Sequence, residues 1–196
     1  MMRIITGKAR GVKLLAPKGE NTRPTAERTK EAVYSMLQFE ISGKEVLDLF
    51  AGSGQMGLEA LSRGAKHAVL CDRSREAVDV IHTNAQKTRL ASDCDIFCMD
   101  YEALLTTLRR KKQFDLIFLD PPYALGAIPK ALQKLVSYGL LREDAKIICE
   151  TANSEDVFGT DDTLEANFEI LRTSHYGVAY VTVLQYNSDN GKDIML

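Results

Sequence analysis

Phe114-Asp115-Leu116-Ile117-Phe118-Leu119-Asp120-Pro121-Pro122-Tyr123 is the stretch that decides how this chain folds. Leu116 to Leu119 are apolar without alternation, the pattern of a strand buried on both faces. Two prolines stop it, because each lacks a backbone donor and fixes its own φ. A buried strand therefore delivers Asp120 and Tyr123 to its carboxyl edge on a stiff turn. In open α/β sheets ligands sit at that edge.

Working outward, the chain alternates strand and helix from residue 44. Residues 46–50, 68–71, 95–99 and 145–150 read as further strands. Helices follow the first three, ending near Arg63, Arg89 and Lys111, and another spans 127–137. Alternation of this kind implies a mainly parallel sheet with right-handed crossovers and helices on both faces. Residues 168–176 and 178–186 meet at Gly177, too close for a crossover, and are expected to form an antiparallel hairpin. At the other end, residues 3–6 and 12–16 read as a small β-hairpin around Gly7-Lys8-Ala9-Arg10-Gly11. Thr25 is placed to cap a helix running to about Gln38. The expected architecture is α/β, a Rossmann-like, mostly parallel seven-stranded sheet. Its divisions are residues 1–42 as a basic hairpin and helix, 43–187 as the main domain, and 188–196 as a tail.

Composition fits one globular domain with an appendage: 196 residues, 45% hydrophobic and 27% charged. No apolar run reaches membrane-span length and the N-terminus has no signal-peptide core, so a cytoplasmic protein is expected. Cys71, Cys94, Cys98 and Cys149 form no metal-ligand spacing with His67, His82 or His175, and buried free thiols with no metal are expected. The net charge of −2 is uneven. Residues 1–30 carry eight basic and two acidic side chains, which leaves −8 for the remainder. Such an asymmetry suggests a basic arm on a more acidic body.

Gly52-Ser53-Gly54-Gln55-Met56-Gly57 follows a strand and opens a helix, and Asp72 lies twenty residues after Gly52 at the end of the next strand. This spacing is that of a nucleoside-bearing ligand, with the acid on the ribose hydroxyls. Asp48 stands four residues before Gly52. A carboxylate there suits a cationic ligand and opposes a pyrophosphate. Asp48, Asp72, Asp100 and Asp120 together favour S-adenosylmethionine, with its ammonium and sulfonium, over a nicotinamide dinucleotide.

The turn at Asp120 suits methyl transfer to an exocyclic amine. Asp120 and the Pro121 carbonyl can accept from the two N–H groups, and an anion stabilises the positive charge that develops on nitrogen. Tyr123 offers a ring for a base flipped out of its stack, worth about 1–3 kcal/mol.

These residues carry a resemblance. Val46-Leu47-Asp48-Leu49-Phe50-Ala51-Gly52-Ser53-Gly54 with Asp120-Pro121-Pro122-Tyr123 resembles a class I S-adenosylmethionine-dependent methyltransferase acting on a base amine. Arg3-Ile4-Ile5-Thr6-Gly7, Thr22-Arg23-Pro24-Thr25 and Gly57-Leu58-Glu59-Ala60-Leu61-Ser62-Arg63-Gly64-Ala65 narrow it to the bacterial family that methylates the N2 amine of a guanine in small-subunit (16S) ribosomal RNA. The resemblance implies the methionine end of the cofactor at Asp48 and Ala51, Gly52, Ser53 and Gly54. It implies the ribose at Asp72 with Arg73 beside it, the adenine at Asp100 and Tyr101, and the base at Asp120, Pro121, Pro122 and Tyr123. Asp72 departs from the glutamate frequent there. Ribosomal RNA, free or in the small-subunit particle, is the implied partner, with Lys8, Arg10, Lys13 and Arg23 as phosphate contacts. The alternatives are a DNA adenine-N6 methyltransferase, served by the same four-residue motif, and a non-catalytic RNA-binding module, which leaves both motifs unexplained.

Overall fold

A computed structural model describes residues 2–18, 24–37, 39–159 and 162–187. Arg23 and the expected tail at 188–196 lie outside them. The chain divides into two compact units, Met1–Leu104 and Leu105–Leu196.

The first unit holds helix α1 (Pro24–Met36), strand β1 (Glu45–Asp48), helix α2 (Gln55–Ser62), strand β2 (His67–Asp72), helix α3 (Arg75–Thr88) and strand β3 (Cys94–Cys98). Its three strands are parallel, in the order β3-β2-β1. All four residues of β1 are buried, as are Ala68 to Cys71 of β2. Strands buried on both faces usually read as apolar runs, yet β1 carries the buried acids Glu45 and Asp48 at its two ends. Edge strand β3 is only partly covered. All four cysteines are free, as expected, but only Cys71 and Cys149 are buried; Cys98 on β3 is exposed. The edge position of β3 overturns the expectation of burial for Cys98.

The expected hairpin at 3–6 and 12–16 is reduced to one antiparallel bridge, Arg3 to Lys13. The reason lies in where the backbone donors go. The Ile4 amide donates to the Val12 carbonyl and the Leu14 amide to the Met2 carbonyl around the bridge, but beyond Ile4 the amides of Ile5 and Thr6 donate to the two carboxylate oxygens of Glu59 on α2, at 2.7 and 3.0 Å, and the pairing ends there. Ser62 Oγ donates to the Thr6 carbonyl and accepts from the Ala9 amide. Gly7 makes this docking possible: its φ is +87°, and a Cβ there would sit 1.8 Å from the Ser62 carbonyl oxygen.

Glu59 is completely buried and is satisfied by more than the two amides. Arg63 Nε pairs with it at 2.8 Å, and buried Lys30 Nζ from α1 lies 4.0 Å away while donating to the Arg3 carbonyl. A buried carboxylate persists only with such partners. Glu59 thus fastens the N-terminal segment and α1 to the helix that follows the glycine turn.

The second unit holds strand β4 (Phe114–Leu119), helix α5 (Ala127–Ser137), strand β5 (Leu141–Thr151) and the hairpin β6 (Phe168–Tyr176) and β7 (Ala179–Tyr186). Helix α4 (Tyr101–Leu108) spans the division. The order is β4-β5-β7-β6, with β4 and β5 parallel and β7 antiparallel to both neighbours. The hairpin at Gly177 is as expected. β5 begins four residues earlier than expected. Leu141 pairs with Phe114, and the register then shifts so that Lys146 pairs with Leu116. Arg142-Glu143-Asp144 form this bulge, with Asp144 at φ +60°.

Candidate methyl-transfer site

The glycine turn is built around two carboxylates. Asp48 ends β1 and is 4% exposed, with Oδ2 accepting from the Gly57 amide at 2.9 Å. Burial pushes its carboxyl up to about 7; the Gly57 N–H opposes this and nearby Asp72 adds to it. Among the described residues the Gly57 amide is the donor to this carboxylate, so its ionised form is poorly compensated.

Asp72, at the end of β2, uses both oxygens locally. Oδ2 accepts from the Gly52 amide at 2.9 Å and Oδ1 from the Ser74 amide at 2.8 Å. It therefore shapes the turn. A carboxylate has about four acceptor positions, so these bonds leave capacity for hydroxyl donors.

Gly52 and Gly54 have φ of +52° and +75°, and Gly54 caps α2. A Cβ on Gly54 would meet Ile81 Cγ2 at 3.1 Å, and one on Gly57 would meet Leu70 Cδ2 at 3.0 Å. The glycines thus supply both the left-handed backbone and the close helix–strand approach. The Ala51 amide donates to the Cys71 carbonyl, tying the turn to β2. Ser53 is buried, and its carbonyl accepts from the Asn84 side chain at 2.9 Å.

Asp100 is exposed, and its Oδ1 accepts from the Glu102 amide at 2.8 Å, so it caps α4. Tyr101 lies half-buried against Phe50, ring centroids 5.1 Å apart. Burial, with Glu102 adding to it, pushes the Tyr101 hydroxyl up to about 12 and keeps it neutral. Arg73 is exposed beside Asp72.

In the second unit Asp120 is exposed immediately after β4, Pro121 is buried and Pro122 is exposed. Tyr123 opens a 3₁₀ turn, Tyr123–Leu125, with 44% of its surface exposed. Its hydroxyl donates to Glu150 Oε1 at 3.1 Å. Burial pushes the Glu150 carboxyl above its usual range, opposed by that hydrogen bond. Pro121, Tyr123 and Glu150 share the wall of a cavity of about 400 Å³.

Of the basic residues singled out in the sequence, Arg10 and Lys13 are exposed. Lys8 Nζ is paired with Asp93 at 2.7 Å on the surface. An exposed pair of this kind is worth about 0–1 kcal/mol and exchanges readily.

Sequence reasoning missed Glu59, Lys30, Asn84 and Glu150. For Asn84 a signal existed. It falls on the buried face of α3 with Val78, Ile81 and Ala85, and a polar residue there needs partners. It has three: the Leu15 amide and carbonyl and the Ser53 carbonyl, which link the N-terminal segment to the glycine turn.

Parallel strands, a glycine turn at the first strand–helix junction and an acid ending β2 define a class I S-adenosylmethionine-dependent methyltransferase fold. The O-methyltransferase of Bacillus cereus, solved in complex with S-adenosylhomocysteine, shares it with a TM-score of 0.66 at 12% identity, over 85% of this chain and 83% of that one. The chain belongs to the family described as Conserved hypothetical protein 95, which it matches over residues 2–185. YlbH of Bacillus subtilis is 38% identical over 150 residues, covering 76% of this chain and 82% of that protein. Ribosomal RNA small subunit methyltransferase D of Haemophilus influenzae is 30% identical over 185 residues, covering 94% and 93%. The structure of yhhF from Escherichia coli superposes with a TM-score of 0.82 at 28% identity, covering 95% and 98%.

Proposed function

We propose that this chain transfers a methyl group from S-adenosylmethionine to the exocyclic N2 amine of a guanine in small-subunit (16S) ribosomal RNA. The observation that carries the reading is the pairing of two built features within one chain. One is a buried acid, Asp48, at a glycine turn; the other is Asp120-Pro121-Pro122-Tyr123 at the end of a buried strand. The near full-length similarity to a small-subunit RNA methyltransferase supports the choice of substrate.

The residues of the turn fit the cofactor. S-adenosylmethionine supplies an electrophilic methyl on a sulfonium and an ammonium. The ammonium is the cation that Asp48 lacks. Asp72 accepts from the ribose hydroxyls while holding the Gly52 amide. Tyr101 and Asp100 bound the adenine, with Arg73 on the solvent side.

On the acceptor side, Asp120 and the Pro121 carbonyl would accept from the two N–H groups of the base amine and fix the orientation of its nitrogen. Methyl transfer would form the nitrogen–carbon bond as the methyl–sulfur bond breaks to leave a neutral thioether, and the Asp120 carboxylate would stabilise the positive charge that reaches the nitrogen. The surplus proton leaves to Asp120 or to water. Tyr123 stacks the flipped base, and the prolines hold ring and acceptors at a fixed separation. Residues 1–42 serve as the RNA-facing extension of a methyltransferase domain at 43–187, with Lys8, Arg10, Lys13 and Arg23 on the phosphates. Lys8 would exchange Asp93 for phosphate. The place of work is the bacterial cytoplasm, where the substrate is. Among the described residues no helix is long and apolar enough to cross a membrane.

The test offers labelled methyl donor with free ribosomal RNA, small-subunit particles and DNA. Label in RNA or particles is expected. Label confined to DNA would replace the reading with the adenine-N6 alternative.

A further inference from the structure

Glu150 stands next to last on β5, and the catalysis proposed above does not use it. Its setting is unusual for a carboxylate. It is partly withdrawn from water, yet among the described residues its only hydrogen bond comes from the Tyr123 hydroxyl, to Oε1. A carboxylate partly taken from water with one neutral donor is costly unless something else donates to it. The cavity it shares with Tyr123 has walls that fit a planar ring: Pro121 and Ile128 are apolar, and Tyr123 contributes an aromatic surface. At about 400 Å³ its volume falls among small-ligand sites, which span about 300–1,000 Å³. The other acid on the wall, Asp156, already accepts from the Asn153 side chain at 3.1 Å.

We infer that Glu150 selects guanine, accepting the N1–H of the target base in this cavity while Tyr123 holds the ring. The inference rests on the guanine-N2 reading and names the group that gives it specificity. Guanine places an N1–H donor beside its N2 amine. Adenine has at N1 an acceptor lone pair, which faces a carboxylate with repulsion. Asp120-Pro121-Pro122-Tyr123 alone serves either base, since it reads only an amine. Glu150 supplies the discrimination the motif lacks. A site built to accept a substrate N–H rejects an analogue without one, because its acceptor is then stranded.

The test uses RNA in which the mapped target position is either guanosine or 2-aminopurine riboside. 2-Aminopurine keeps the amine at C2 and lacks N1–H. The wild-type chain is expected to prefer guanosine by about 30-fold or more in kcat/KM, the size of a well-made base-edge contact. Glu150→Ala is expected to lower methylation of guanosine by about that factor and leave 2-aminopurine within about threefold. The preference then collapses. Glu150→Gln keeps the shape and an acceptor but loses the charge, with about a tenfold fall on guanosine alone. It also serves if the alanine variant folds poorly. Tyr123→Phe removes the link between the two residues and is expected to lower both substrates together with the preference kept. An unchanged preference in both Glu150 variants would overturn the inference, as would a Tyr123→Phe variant that behaves like Glu150→Ala, since Glu150 would then only position the ring. A wild-type chain that methylates neither RNA would overturn the guanine-N2 reading itself.

Discussion

Replacing Asp48 by asparagine separates what the glycine turn does for folding from what it does for binding. The carboxyl is raised from an ordinary 3.8 to about 7. A raised acid binds its proton more tightly folded than unfolded. Its ionisation therefore costs stability, beginning as pH rises above about 4 and complete above about 7. The span is roughly three pH units at 1.36 kcal/mol each, so the full cost is about 4 kcal/mol, an upper bound for a group that can relax. The side-chain amide of Asp48→Asn cannot ionise and can still accept from the Gly57 N–H. The variant should gain stability over the wild type as pH climbs, with little difference at pH 4 and a gain of about 2–4 kcal/mol at pH 8. Urea unfolding of the ligand-free protein at several pH values reads this directly. The same change should weaken S-adenosylmethionine, because the ammonium loses its counter-charge. Wild-type affinity should itself rise roughly tenfold from pH 5.5 to 7 as Asp48 ionises, with the ligand's amine still protonated, and the variant's should stay flat. Parallel stability curves for the two proteins would refute the buried-charge argument. Equal affinities, in both value and pH dependence, would refute the role at the ammonium.

Asp120→Ala should abolish methyl transfer, a loss of at least about 100-fold, while calorimetry shows S-adenosylmethionine binding within about threefold of wild type. Gly7→Ala should destabilise by more than about 3 kcal/mol in urea unfolding, because its Cβ would collide with the Ser62 carbonyl at a φ that L-residues avoid. Reversing charge at Arg10 and Lys13 together should weaken RNA binding and lower the slope of log affinity against log salt by about 2, with cofactor affinity unchanged. Loss of cofactor affinity in that double variant would point to folding damage instead.

The parts of the fold read correctly from the sequence are those where burial leaves a periodic trace. Leu116 to Leu119 and Val46 to Phe50 read as buried strands because mainly apolar runs bounded by turn residues have few other readings, although β1 runs from Glu45 to Asp48 and stops before Phe50. Asp72 was legible because the glycine turn fixes its spacing, but its two backbone hydrogen bonds were not, since they depend on how the turn curls back on β2. The bulge in β5 was hidden by Arg142-Glu143-Asp144, whose composition is that of a loop. The bridge at Arg3 and Lys13 looked like a full hairpin because nothing local reveals that Glu59, more than fifty residues away, takes the amides of Ile5 and Thr6. Glu150 was invisible for a similar reason. A glutamate ending a strand is ordinary until the Tyr123 hydroxyl and a cavity are found beside it. Long-range satisfaction of buried polar groups leaves no periodicity in a sequence.

The central claim is the chemical identity of the methylated atom. Ribosomal RNA from cells with and without an intact copy of this gene, digested and mapped by mass spectrometry, addresses it most directly. The account predicts one guanosine in 16S RNA that carries a methyl on N2 in the first and lacks it in the second, restored by the wild-type chain and not by Asp120→Ala. Identical modification maps, or a difference only at adenines, would contradict it.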